Sequence, residues 1–397
     1  LAKKATGKKK MAEKRAAAKK TAAKRDPEPA ELPPFIFSAD LHLQPYAWAS
    51  HPSLRGDSYF GLNQILQTAK RYGCKLILLG GDIFETRRPT PADVVNFKRF
   101  TDDCAENGIR VAAVFGNHDR FVTQDETWLE LTPQVIHLHK KTIEHGDMVI
   151  YGLDYVSMSE LEEELANVPP EANTILTHNR LFAYGNADEG RFSPTWIPEH
   201  VTRILTGDYH EYREMLVGSR SVQVVYPGPT YMWRADEPVD KFVTLFSDSG
   251  GGYECTFVPL KTRRVEKHDV FTPEDLIMVT GMISNVLPDE ELPESMREPL
   301  FIVRYDPEIE DAKVKLMMCA SDRCHLFLNP VIREYVMLPS AGTETEDGVV
   351  PKLSDLLSQV VDPREEPKLH SFILSLLQRD TKTVLAEERM ARGIEVG

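Results

Sequence analysis

Val-Ala-Ala-Val-Phe-Gly-Asn-His-Asp, residues 111–119, is an apolar run that stops at a glycine and then presents three polar side chains in succession. The run has the composition of a buried strand, and the glycine lets the backbone pass close to a cluster of charge. The same grammar recurs on both sides. Phe35 to Phe37 leads into Ser38-Ala39-Asp40 with His42 two residues on, and Leu76 to Leu79 leads into Gly80-Gly81-Asp82. Thr174 to Thr177 leads into His178, and Arg203 to Thr206 into Gly207-Asp208-Tyr209-His210. Helix-like stretches over 59–72 and 92–107 separate the first three runs, so β-α-β units are the economical reading. Ligands of α/β sheets gather at the carboxyl ends of strands. Asp40, His42, Asp82, Asn117, His118, Asp119, His178, Asp208 and His210 are therefore expected to converge. The alternation of Asp40 and His42 places both side chains on one face of their strand. Each signal alone is ordinary, since Asp after Gly marks many turns; the set carries the inference.

The chain has 397 residues and is 42% hydrophobic and 27% charged, enough for one large domain or several ordinary ones with real cores. Cys74, Cys104, Cys255, Cys319 and Cys324 are irregularly spaced, which argues for reduced thiols in a cytoplasmic setting rather than a disulfide framework. No apolar run approaches the roughly 18 residues that span a bilayer, so no membrane association is expected. The net charge of −14 is unevenly distributed. Residues 1–25 hold 11 Lys/Arg and a single acid, Glu13, whereas the remainder holds 36 basic and 60 acidic residues, a net of −24. Residues 1–34 read as a disordered Lys/Ala-rich arm ended by Pro27, Pro29, Pro33 and Pro34. Its two readings are a polyanion-binding arm and a plain solubilising tail. A transit peptide fits less well, because such peptides favour Arg and Ser.

Beyond the last polar cluster, Phe242 to Phe246 and Tyr253 to Val258 flank a Gly-rich turn and predict a hairpin. Tyr231, Trp233 and Arg234 follow a Pro-Gly-Pro turn and are candidates to stack on or steer a nucleic-acid end; packing beneath a loop is the competing reading. Cys319, Cys324 and His325 lack a fourth partner at metal-site spacing and read as packing residues. In the C-terminal segment, Leu353, Leu356, Leu357, Val360 and Val361 form one amphipathic stripe. Leu369, Phe372, Ile373, Leu376 and Leu377 form a second after a Pro-bounded break.

Taken in order, D-x-H, G-G-D, G-N-H-D, H and G-x-x-H resemble the calcineurin-like metallophosphoesterase pattern over residues 35 to about 235. Arg55 and Asp57 before a helix, Arg88-Pro89-Thr90-Pro91 and Tyr226-Pro227-Gly228-Pro229 narrow the likeness to SbcD-type nuclease subunits, including bacteriophage recombination nucleases. The resemblance implies an α/β fold with a two-layer β-sandwich core flanked by helices. The nuclease domain would span 35–262, a small α/β capping domain 263–340, and a C-terminal helical pair that binds an ATPase 341–397. It implies two divalent ions, Mn²⁺ by preference, which suits the mixed oxygen and nitrogen donors. Asp40, His42 and His210 would hold the first ion and Asn117, His178 and Asp208 the second, with Asp82 bridging. His118 would position the phosphate or protonate the leaving oxygen while Asp119 fixes its tautomer, and Arg88 would join the DNA-contacting residues. The implied activity is DNA exo- and endonuclease cleavage in an SbcC/SbcD-like repair or recombination complex, as a homodimer with an SMC-like coiled-coil ATPase. A metallophosphatase or small-molecule phosphodiesterase and a non-catalytic scaffold are the alternatives. Two departures stand out: Asp208 replaces the first histidine of the usual G-H-x-H, and Glu85 stands where some relatives carry histidine.

Overall fold

The computed structural model describes residues 31–48, 51–119, 131–181 and 192–331. Residues 1–30 of the arm and the two C-terminal amphipathic stripes lie outside the described residues. In chain order the strands are β1 (Phe35–Ser38), β2 (Tyr46–Trp48), β3 (His51–Arg55), β4 (Leu76–Gly80), β5 (Arg110–Val114), β6 (Val135–His137), β7 (Thr142–His145) and β8 (Met148–Leu153). They continue with β9 (Thr174–Thr177), β10 (Arg203–Thr206), β11 (Arg213–Val217), β12 (Val222–Tyr226), β13 (Phe242–Asp248), β14 (Tyr253–Pro259), β15 (Val265–Val270), β16 (Leu300–Tyr305) and β17 (His325–Pro330). The α-helices are α1 (Asp57–Arg71), α2 (Pro91–Glu106), α3 (Met158–Ala166), α4 (Pro273–Asn285) and α5 (Ala312–Ala320).

Two six-stranded sheets form the sandwich, in the orders β14-β13-β1-β4-β5-β6 and β11-β12-β10-β9-β8-β7. Strand periodicity explains why they stack. Phe35, Phe37, Leu76, Leu78, Ala112 and Val114 point into the layer between the sheets, where Leu176, Leu205 and Val225 meet them. Their immediate neighbours Ile36, Ile77, Leu79, Val111 and Ala113 point the other way, onto α1 and α2. Ile175 and Ile204 likewise face outward toward α3. A strand buried on both faces cannot alternate apolar with polar residues, which is why these runs are continuously hydrophobic. Each fully buried Phe or Leu contributes about 1.5–3 kcal/mol. Phe35 and Phe246 stack across the β1–β13 pair, with ring centroids 4.6 Å apart.

The β1, β4 and β5 ladder is parallel, with Phe35 opposite Leu76 and Leu76 opposite Arg110, so the carboxyl ends of these strands share one edge. In the second sheet β9 and β10 are also parallel, with Thr177 opposite Thr206. The Arg88-Pro89-Thr90-Pro91 sequence is a helix start. Thr90 caps α2 by accepting from Asp93 N at 3.3 Å, and Asp93 returns the bond by accepting from Thr90 N at 2.7 Å. Pro91 occupies the first helical position, where a missing N–H costs nothing.

A smaller parallel sheet, β15-β16-β17, carries α4 and α5 over a separate core that includes Val270, Leu276, Ile283, Phe301 and Leu316. Leu300 and Ile302 of this unit pack with Trp48, Leu54, Tyr231 and Met232. Arg263, at the junction, makes a two-pronged ion pair with Asp57 at 3.0 and 2.9 Å, with both side chains nearly fully buried. Asp57 thus opens α1 and ties it to the smaller sheet at once. Among the described residues, no helix is long and apolar enough to cross a membrane.

Candidate metal centre

The strand ends meet. Asp40, His42 and His210 form one group able to hold a metal ion, Asp40, Asp82 and His178 a second, and His42, Glu85 and His118 a third. Within each group the ligand atoms lie within 4.8 Å of one another. Asn117 and Asp208 line the same cleft, an open volume of about 380 Å³ whose rim carries Arg180 and Arg234.

Asp40 and His42 do not sit on a strand face. β1 ends at Ser38, and both residues have left-handed backbone, φ 53° and 40°; Asp82 (φ 48°) and Asp208 (φ 70°) share it. Hydrogen bonds from Asp40 N to Gly81 O and from His42 N to Asp82 O, at 3.0 and 2.9 Å, splice the two ligand loops together. Left-handed conformations at non-glycine residues cost energy and persist where surrounding structure fixes them, as these splices do. Asp and His tolerate the region better than branched residues.

Glycines provide the space. A Cβ on Gly116 would lie 2.0 Å from Asp82 Oδ1, and one on Gly81 would lie 2.5 Å from the His178 ring. His178 is fully buried; its Nδ1 is 2.7 Å from Gly80 O and its Nε2 is 3.3 Å from Asp82 Oδ2. Asp208 N donates to Asp40 Oδ1 at 3.0 Å. Burial opposes ionisation of Asp82, but His178, His42 and His118 outweigh it and hold its carboxyl well below the usual range. Burial likewise works against a charged His178, yet Asp82, Asp40 and Asp208 push it up to about 10. Burial raises Asp208, with Asp40 and Asp82 adding to the effect against His178.

These features fit divalent ions. Asp40 Oδ2, Asn117 Oδ1 and His178 Nε2 are buried without a hydrogen-bond partner, and all three are oxygen or nitrogen donors. Orphaned buried polar atoms are costly, and a cation that accepts their lone pairs removes the cost.

Two expected contacts are not formed. Asp119 does not touch His118: its carboxylate accepts from Ile83 N at 3.1 Å, Phe84 N at 3.0 Å and Gly116 N at 3.0 Å, joining the second and third ligand loops. Burial and the nearby Asp82 push its carboxyl up to about 7. His118 Nδ1 instead lies 2.6 Å from the Glu85 carbonyl, and His118 N donates to Asp82 Oδ1 at 3.0 Å. Its ring is partly exposed to the cleft. Tyr231 is 2% exposed, and its hydroxyl donates to His42 O at 2.8 Å, so stacking on a nucleic acid is closed to it. Its place in the turn after Pro229 sends it inward, under the ligand loop. Trp233 packs its ring on His42. Arg234 is exposed over Trp233, its guanidinium carbon 5.3 Å from the ring centroid, and Arg88 is exposed on the loop before α2.

Glu237 and Lys241 escaped the reading of the sequence. Glu237 Oε1 is 2.7 Å from His210 Nδ1, while Oε2 accepts from Trp233 N at 3.1 Å and from Lys241 Nζ at 2.8 Å. Burial opposes protonation of His210, but Glu237 raises its proton affinity above the ordinary value. The four-residue spacing of Glu237 and Lys241 was the available signal; nothing local shows that both are buried. Cys319 and Cys324 are free thiols packed against the core of the smaller sheet, and no metal-capable group among the described residues includes them.

Residues 33–212 match the family described as calcineurin-like phosphoesterase, and the residues able to hold metal ions, from Asp40 to His210, lie within that stretch. Among curated proteins, DNA double-strand break repair protein Mre11 of Methanosarcina acetivorans is 25% identical over 242 residues, covering 57% of this chain and 39% of that protein. Mre11 of Methanosarcina mazei is 24% identical over 322 residues, covering 70% and 50%. The metallophosphoesterase YhaO of Bacillus subtilis is 25% identical over 269 residues, covering 62% and 63%. The chain thus spans half or less of the length of the two Mre11 relatives.

Proposed function

We propose that this phosphoesterase is a Mn²⁺-dependent DNA nuclease that hydrolyses phosphodiester bonds and works with a coiled-coil ATPase, as an SbcD-type subunit. The observation that carries the reading is the convergence of Asp40, His42, Asp82, His178 and His210 on one cleft, with Arg180 and Arg234 at its rim. Two relatives bearing the Mre11 name support the DNA substrate.

Asp40, His42 and His210 would hold one ion and Asn117, His178 and Asp208 the other, with Asp82 between them. Bound there, two ions would lower the pKa of a shared water and offset charge on the phosphate oxygens. The protein's own part is positioning. His118 is held at Nδ1 by the Glu85 carbonyl, which leaves Nε2 facing the cleft, 3.9 Å from Asp82 Oδ2. With Nδ1–H held there, protonation at Nε2 lets the ring donate to a phosphate oxygen or to the leaving oxygen. Arg234 and Arg180 are placed to neutralise phosphates flanking the one that is cleaved.

Cleavage of duplex DNA in Mn²⁺, compared with turnover of a small phosphomonoester, tests the proposal. Duplex cleavage that falls by 100-fold or more in His118→Ala is the expected result; turnover of the monoester alone would make the chain a phosphatase.

A further inference from the structure

A histidine that binds a metal through one ring nitrogen needs a defined partner on the other, because that partner fixes the tautomer. His42 and His210 face each other across the first proposed ion position, with their Nε2 atoms 3.4 Å apart. Asp82 Oδ2 is 3.8 Å from His42 Nε2, and Asp40 Oδ1 is 3.7 Å from His210 Nε2. Behind each ring stands a glutamate. Glu237 Oε1 is 2.7 Å from His210 Nδ1, and Glu85 Oε2 is 2.9 Å from His42 Nδ1. The first contact is an aligned hydrogen bond. The second is close but off the ring N–H direction, so both atoms are still buried without a hydrogen-bond partner. The Glu85 carboxylate would have to rotate to align with the ring N–H and complete the bond.

We infer that Glu85 and Glu237 are a matched pair of positioning residues that hold His42 and His210 as Nδ1–H tautomers, directing both Nε2 lone pairs at one cation. The pairing rests on the dimetal reading above. It also gives Glu85 a function of its own: its carboxylate serves His42 while its backbone carbonyl serves His118. Glu237 is anchored from behind by Lys241 Nζ and Trp233 N, so its carboxylate does not rotate freely. With a proton on Nδ1 of both rings, the two facing Nε2 atoms are left to share either one proton or one cation.

The test uses the full chain, Mn²⁺ alone as the probe, and titration calorimetry. Wild-type protein should take up two ions. Glu85→Gln and Glu237→Gln should each weaken one of the two by about 10–100-fold and leave the other unchanged. Glu237→Gln leaves Lys241 buried without its counter-charge and is the variant at risk of not folding; the partly exposed Glu85 side chain carries no such risk. Nitrogen-15 spectra of the metal-free wild type give a readout that needs neither variant. Both rings should carry a proton on Nδ1, whether singly or doubly protonated. A lone proton on Nε2 of either ring, or two ions bound with unchanged affinity in Glu85→Gln, overturns the orienting role while the dimetal reading stands. Fewer than two ions in the wild type overturns both.

Discussion

The His42 imidazole lies flat on the Trp233 indole, with ring centroids 4.2 Å apart and planes 6° from parallel. The same tryptophan meets His210 edge-on at 4.9 Å and gives its backbone N–H to Glu237. One loop therefore covers one candidate ligand histidine and anchors the carboxylate behind the other. An aromatic pair of this geometry is worth about 0.5–1.5 kcal/mol beyond the area it buries. Trp233→Ala should raise the Mn²⁺ concentration for half-maximal cleavage several-fold, and Trp233→Phe should keep most of the affinity. A metal titration of both variants measures it; equal half-saturation in Trp233→Ala would show that the loop is only a cover.

His118 and Asp119 are neighbours with different work, and their variants should separate. Asp119→Ala leaves three buried backbone N–H groups without acceptors and should cost about 3 kcal/mol or more in urea unfolding. His118→Ala removes a partly exposed ring and should change unfolding by about 0.5 kcal/mol or less while cleavage is lost. The reverse pattern, with a stable Asp119→Ala and an unfolded His118→Ala, would contradict the assignment.

The sandwich was legible because its strands announce themselves twice. Phe35-Ile36-Phe37 and Leu76-Ile77-Leu78-Leu79 are apolar at every position, and only a sheet covered on both faces accepts that. The polar residues were legible because each follows such a run in a fixed order. What was not legible depends on approach between distant segments. Nothing near Asp40 shows that its N–H will be taken by Gly81 O, and without that bond the left-handed turn has no reason to exist. Asp119 beside His118 invited a local pairing, yet Ile83 N and Phe84 N from another segment and Gly116 N from its own loop take up its oxygens. Tyr231 resembled an exposed aromatic because its burial is supplied by Trp48, Leu300 and Ile302 from remote parts of the chain.

Arg263 and Asp57 link the sandwich to the smaller sheet through a pair that is almost wholly out of water. Breaking one partner of such a pair strands the other charge and costs about 3–5 kcal/mol. Arg263 also donates to Glu298 O and Ser295 O, each at 2.8 Å, so its loss should be the more severe. Asp57→Ala and Arg263→Ala should each lower the unfolding midpoint strongly, and the double variant should lose less than the two combined. Strict additivity in that cycle would mean the two side chains act independently.

His325, at the start of β17, gives the smaller sheet an acid-sensitive step. Burial and then the Arg263 charge lower its pKa from 6.5 to about 4. The folded state thus takes up its proton later than the unfolded state. The contribution is fully present above about pH 6.5 and is lost as pH falls toward 4. Because the ring is only partly buried, the effect is on the order of 1 kcal/mol after screening. Thermal midpoints of the wild type should fall between pH 7 and pH 5 by more than those of His325→Gln. Parallel curves for the two proteins would remove His325 as the cause.

Gly116 offers a way to disable the centre without touching a donor. Its φ is not in the left-handed region, so alanine is acceptable to the backbone, and only space forbids it. The added methyl would lie 2.0 Å from Asp82 Oδ1 and 2.5 Å from Asp82 N, and neither can retreat easily. Asp82 N is part of the loop spliced to His42, and Asp82 Oδ1 holds His118 N. The strain should therefore push the Asp82 carboxylate out of line with His178 rather than unfold the sandwich, whose cores lie below the loops. Gly116→Ala should keep a cooperative unfolding transition, bind fewer than two Mn²⁺ ions and lose cleavage by 100-fold or more. Retention of two ions at wild-type affinity would show that the Asp82 loop can yield, and that its carboxylate does not need the position seen here to bridge the site.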